Sequence, residues 1–95
     1  DTGEFMTENN IIGAAAVSKA GHDKDRSYII IEADKGFVWL CDGKKRKFEL
    51  PKKKSIKHIR ILKHGDADFA GRVLSNSITD EEIKYFLRHL EVMDV

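Results

Sequence analysis

Ten cationic side chains crowd the stretch from Lys44 to His64: Lys44, Lys45, Arg46, Lys47, Lys52, Lys53, Lys54, Lys57, Arg60 and Lys63, against the single acid Glu49. Cations at this density do one kind of chemistry well. They hold polyanions, because each phosphate they neutralise releases condensed counterions. The segment carries +9 in 21 residues while the whole chain carries +1, so the remainder sums to −8. Lysine suits sequence-independent contact with phosphate. The guanidinium forks of Arg46 and Arg60 suit two-pronged phosphate contact or stacking on bases. Taken alone, Lys52-Lys53-Lys54 reads as a solvated loop; amid seven further cations it reads as phosphate-contacting surface. Lys19 and Lys24 are candidate additions. His58 is placed either to meet a base or phosphate or to pack at a strand edge.

Other chemistries lack their parts. Asp23, Asp25, Asp66 and Asp68 have no nucleophile or ligand frame near them in sequence and read as surface charge balance. Acids at Asp66–Asp68 and Asp80–Glu82 are expected to mark a face turned away from RNA. No glycine-rich loop follows a strand to open a helix, so nucleotide binding has no support. His22, His58, His64 and His89 lack metal spacing, and Cys41 is the lone cysteine. The expectation is a protein with no enzymatic activity, cofactor, metal or small-molecule substrate. A single cysteine excludes an internal disulfide and suits a reducing, cytoplasmic setting. No apolar run approaches the ~18 residues of a membrane span.

These side chains need a frame, and 95 residues supply one small domain. Residues 1–10 are set aside: Asp1 to Phe5 precede Met6 and read like a cloning scar on a flexible N-terminus. Five strands are expected between residues 11 and 62. Ile11–Ala20 is apolar with small residues. Ser27–Ala33 and Phe37–Cys41 have strong strand composition. Arg46–Leu50 and Ile56–Leu62 alternate basic and apolar residues. Turns are expected at Gly21–Asp25, Asp34–Gly36 and Asp42-Gly43, the last a favoured hairpin pair. Residues 63–78 read as a loop. Residues 79–92 read as a helix: Thr79 and Glu82 form a capping box, and Ile83, Phe86, Leu87 and Leu90 make one apolar stripe.

Ser18–Arg26, followed by the apolar strand Tyr28–Ile31, resembles the KOW motif, a β-turn-β signature around a central glycine. Cys41-Asp42-Gly43-Lys44, Pro51-Lys52-Lys53-Lys54, Ile56-Lys57-His58-Ile59 and Thr79–Lys84 extend the likeness over roughly Ile11 to Leu90. In this order they resemble the KOW branch that contains large-subunit ribosomal protein fourteen of the eukaryotic and archaeal type and its small bacterial relatives. The resemblance implies an all-β, SH3-like small barrel of about five strands with a C-terminal α-helix packed on it. It places Val38 and Leu40 inside, and Trp39 either under that helix or free as a stacking platform. The sequence departs from the pattern at Asp25, where a second glycine is expected, and at Ala14-Ala15-Ala16, where larger or more polar residues are expected.

The resemblance implies RNA binding on or near the ribosome. The expected contact surface is Lys44, Lys45, Arg46, Lys52, Lys53, Lys54, Lys57, His58 and Arg60, with Lys19 and Lys24, reading backbone and shape rather than bases. Expected partners are ribosomal or other structured RNA and ribosomal proteins. The alternative is a protein-interaction module whose barrel meets an acidic partner, anchored by Trp39 or the helix.

Overall fold

The computed structural model describes residues 11–93; the expected cloning scar and flexible N-terminus at residues 1–10 lie outside them. One antiparallel sheet forms the frame. Its strands are β1 (Ala15–Ser18), β2 (Ser27–Asp34), β3 (Phe37–Cys41), β4 (Lys52–Ser55) and β5 (Ile59–Lys63), in the order β4-β3-β2-β1-β5. A single 3-10 turn, Ile56–His58, links the two edge strands β4 and β5. Two helices follow, α1 (Ala67–Leu74) and α2 (Asp80–Met93). The described residues thus form a small β-rich fold with two C-terminal helices, and no β4–β5 ladder closes the sheet among them.

The β2–β3 hairpin forms where Asp34-Lys35-Gly36 predicts a turn. Lys35 (φ 50°) and Gly36 (φ 86°) both take left-handed backbone, the twist that matches flanking strands. Pleating then sorts β3: Val38 and Leu40 are fully buried, while Phe37 and Trp39 point the other way. The register slips between Ile30 and Glu32 and between Ala15 and Ala16. Such irregularities bend and twist a sheet. Ala14, Ala15 and Ala16 are all buried, which accounts for their size. Ala15 and Ala16 lie on β1, which is paired on both sides by β2 and β5, and Ala14 directly precedes it.

Two expected elements fall elsewhere. Arg46–Leu50 is not a strand. Asp42 Oδ1 accepts the amides of Lys44 (2.9 Å) and Arg46 (3.0 Å), and the Arg46 carbonyl accepts from Asp42 and Gly43. Asp42 thereby curls the chain into a compact loop, and its local hydrogen bonds replace a ladder. The fourth strand is Lys52–Ser55 instead, which no β-propensity advertises. The expected strand Ile56–Leu62 begins as the 3-10 turn and becomes β5 only at Ile59.

The expected loop at 63–78 contains α1. Asp66 caps it, accepting the Phe69 amide at 2.8 Å, and Val73 is buried. Gly71 in its middle obscured the helical pattern. α2 starts as the capping box requires: the Thr79 amide donates to Glu82 (2.9 Å) and the Glu82 amide to Thr79 Oγ1 (3.2 Å). Its Ile83 and Leu87 join the core, with Phe86 and Leu90 packed against it. Phe86 also stacks on Phe69 of α1, with centroids 4.5 Å apart.

Two glycines make opposite predictions. Gly43 has φ 79°, and a Cβ there would strike the Asp80 carbonyl and the Lys84 side chain, so α2 docks directly on this backbone. Gly43→Ala is expected to destabilise by roughly 2–4 kcal/mol from left-handed strain plus overpacking. Gly71 is helical and a Cβ there meets nothing within 4 Å. Gly71→Ala is expected to stabilise by about 0.5–1 kcal/mol. Urea midpoints should move in these opposite directions; a shift of the same sign for both would refute the packing described.

Candidate nucleic-acid interface

The lysine triplet divides because β4 is pleated. In the β3–β4 ladder, Lys52 pairs with Leu40, Lys53 with Trp39 and Lys54 with Val38. Directly opposed residues share a face. Lys52 and Lys54 therefore share the inward face with Leu40 and Val38, and Lys53 shares the outer face with Trp39.

An ammonium turned inward needs a counter-charge, and Asp23 supplies it. Asp23 is only 5% exposed. Its Oδ1 accepts from Ser18 Oγ at 2.8 Å and from Lys54 Nζ at 3.0 Å, and Lys52 Nζ lies 3.0 Å from Oδ2. Burial alone raises the pKa of this carboxyl, but the hydrogen bonds from Lys54 and Ser18 and the ion pair with Lys52 outweigh it. They hold Asp23 far below its ordinary value of 3.8. The buried Tyr28 hydroxyl is pushed up to about 12, first by burial and then by the Asp23 charge. Asp23 is thus no surface acid. It is the centre of a clamp that ties the β1–β2 turn to β1 and to the edge strand β4.

The turn that presents Asp23 is tightly bonded. The Lys24 amide donates to the Gly21 carbonyl, Arg26 to Asp23, and Asp25 to Ser18. Gly21 (φ 87°) and Asp25 (φ 73°) both take left-handed backbone. Asp25, where the KOW pattern expects glycine, adopts the same conformation; Asp and Asn are the non-glycine residues that accept it most readily. Its side chain is exposed, as are Lys19, His22 and Lys24.

The expected contact residues separate into three sets. Lys52 and Lys54 belong to the clamp and leave the candidate surface. Lys44, Lys45, Arg46 and Lys47 are exposed on the Asp42 loop. That loop is anchored a second time by Asp80 Oδ1, which accepts the Phe48 amide at 2.8 Å. Lys57, His58 and Arg60 are exposed on the 3-10 turn and β5. Lys19 joins this set, its amide donating to the His58 carbonyl at 2.8 Å. Among the described residues no carboxylate forms an ion pair with Lys19, Lys24, Lys44–Lys47, Lys57 or Arg60.

Lys53 stands between these sets, its ammonium 4.4 Å from the Phe37 ring centroid and 5.6 Å from that of Trp39. Trp39 is half-buried on this outer face rather than under the C-terminal helix, whose apolar stripe meets the core instead.

The acidic segments mostly serve the fold. Asp66 caps α1, Asp80 holds the Lys44–Lys47 loop, and Glu82 pairs with Arg72 as well as capping α2. Burial pushes the Cys41 thiol up to about 12, with Asp80 and Asp42 adding to the shift; such a thiol is unreactive at neutral pH. One cationic concavity has no counterpart in the sequence reading. A groove of about 320 Å³ gathers Arg26, Lys44, Lys84 and Arg88 around Asp25 and Asp42. Only the docking of α2 brings these positions together. No protein-family model and no curated protein matches this sequence.

The clamp can be tested apart from any ligand. Asp23→Asn is expected to cost about 3–5 kcal/mol, because it leaves two inward ammonium groups without their counter-charge. Lys54→Glu should be comparably harmful, while Lys45→Glu should stay within about 0.5 kcal/mol of the parent. A carboxyl depressed in the folded state contributes stability above its unfolded value of 3.8, lost as pH falls toward the folded value. The parent should therefore lose stability below about pH 4, and Asp23→Asn should show less of this acid loss. Identical acid profiles for parent and variant would show that Asp23 carries no such linkage.

Proposed function

We propose that this chain is an RNA-binding domain of the KOW type that grips phosphate backbone through exposed cations on a rigid SH3-like barrel. The carrying observation is the run Lys44–Lys47: four consecutive exposed cations, none of them in an ion pair among the described residues, on a loop held from inside by Asp42 and from outside by Asp80. Exposed cations that form no ion pair among the described residues, and are pre-positioned by the backbone, are suited to counterion release on a polyanion. Lys57, Arg60, Lys19 and Lys24 extend the surface, with His58 beside them. Lys52 and Lys54 do not contribute.

Chain geometry supports the barrel. Three residues of 3-10 turn span about 6 Å, whereas a flat five-stranded sheet is about 19 Å across. Edge strands joined by so short a link must curl toward each other. The clamp from the β1–β2 turn to β4 supports the same curvature, and the left-handed Gly21 and Asp25 support the KOW-type turn. Ribosomal or other structured RNA is the proposed ligand class, with ribosomal proteins as neighbours and the cytoplasm as the setting. Recognition of backbone needs no catalytic group.

A protein-interaction role is the second reading. It is favoured by an apolar groove of about 480 Å³ between α1 and α2, lined by Phe69, Tyr85 and Phe86, with Tyr85 60% exposed. That role would use the helical side of the molecule and leave the basic loop idle.

The RNA reading predicts a salt signature. With about 4–6 phosphates neutralised, log K for single-stranded RNA should fall against log salt with a slope of about −3 to −4. Changing Lys44, Lys45, Arg46 and Lys47 together to Glu should abolish binding while the thermal midpoint stays near that of the parent. A flat salt response, or full binding by the four-site variant, would leave the proposal without its basis.

A further inference from the structure

Phe37 and Trp39 occupy alternate positions of β3, on the face opposite the buried Val38 and Leu40. Phe37 is 41% exposed. Lys53, across the ladder from Trp39, lies over both rings. Among the described residues no carboxylate pairs with Lys53. Two aromatic rings, Phe37 exposed and Trp39 half-buried, therefore stand on an outer sheet face with a mobile-stemmed ammonium across them.

Along the strand this strip is bracketed by cations. Beyond Trp39, β3 ends at Cys41 and the chain enters the Lys44–Lys47 loop, about 10 Å on at Asp42. At the other end the Gly36 carbonyl accepts the Ile56 amide at 2.9 Å, where the turn carrying Lys57 and His58 begins. Charge, aromatic surface and charge in line suit an unpaired strand, whose bases offer free ring faces between phosphates. They do not suit a duplex, whose bases are already stacked on one another.

We propose that Phe37 and Trp39 form a stacking platform for the unpaired bases of single-stranded RNA, with Lys53 moving from the rings to the strand's phosphate when a base arrives. This inference rests on the RNA-binding reading above. An exposed cation–π contact holds the lysine in place by about 2- to 5-fold. Base stacking on an aromatic ring contributes about 5- to 150-fold. The base therefore wins the ring face, and the displaced ammonium gains a charged partner rather than losing one.

The chain's only tryptophan, Trp39, reports the event directly. The probes are a labelled single-stranded oligoadenylate, an oligomer of equal length with abasic central nucleotides, and a duplex of the same length. Label anisotropy reads binding, and tryptophan emission reads stacking. Oligoadenylate is expected to bind and quench Trp39. The abasic oligomer is expected to bind about 5- to 150-fold more weakly without quenching, and the duplex is expected not to quench. Phe37→Ala, at an exposed position, should weaken oligoadenylate binding about 5-fold or more and leave the abasic oligomer's affinity unchanged. Trp39→Phe should keep most of the affinity. Oligoadenylate binding with unchanged Trp39 emission and undiminished affinity in Phe37→Ala overturns the platform while the phosphate-gripping loop stands. Equal quenching by the duplex also overturns it. Absence of binding by all three probes overturns both readings.

Discussion

The docking of the β1–β2 turn on the edge strand β4 depends on one buried carboxylate. Asp23 sits at the tip of the β1–β2 turn, bonded to Ser18 on β1 and to Lys52 and Lys54 on β4. Burying one acid without partners would be prohibitive, and so would burying two ammonium groups. Together, with a hydroxyl donor, the set becomes tolerable, and it is specific: only this turn against only this edge strand satisfies it. The clamp draws the turn over the edge strand, while the 3-10 turn draws the two edges of the sheet toward each other.

The same clamp divides the lysines of β4. Lys52 and Lys54 are taken inward, and Lys53, between them, is put outward by the pleat. The Lys44–Lys47 run forms no ion pair among the described residues for a different reason. Asp42 accepts the loop's own amides and Asp80 accepts the Phe48 amide, so acids of the fold are used on backbone rather than on these side chains. Gly43 lets α2 approach close enough for Asp80 to reach. A helix far along the chain thus buttresses the loop that presents the charge.

Several elements were legible in the residues. β2 and β3 announce themselves by β-branched and aromatic composition around Asp34-Lys35-Gly36, and Thr79 with Glu82 marks the start of α2. The failures have physical causes. Lys52–Ser55 forms a strand against its composition, because Lys52 and Lys54 are stabilised by the charge of Asp23, which no local window contains. Arg46–Leu50 alternates like a strand, yet Asp42 captures the Arg46 amide and Asp80 the Phe48 amide. α1 was hidden by Gly71, an exposed position where glycine is tolerated rather than required. Trp39 reads as a residue in need of cover, but Lys53 supplies part of that cover from the neighbouring strand.

By itself the sequence determined how much charge the chain carries, where along it the cations lie, and which short segments prefer strand or helix, because these follow from residue type and spacing within one or two turns of backbone. Tertiary structure alone decided which of the β4 lysines are tied to a carboxylate. That outcome depends on the face each lysine occupies once β4 pairs with β3, and on the arrival of Asp23 from a distant turn. Ion pairing is a property of distance in space and of burial, and neither is written in any local stretch of the chain.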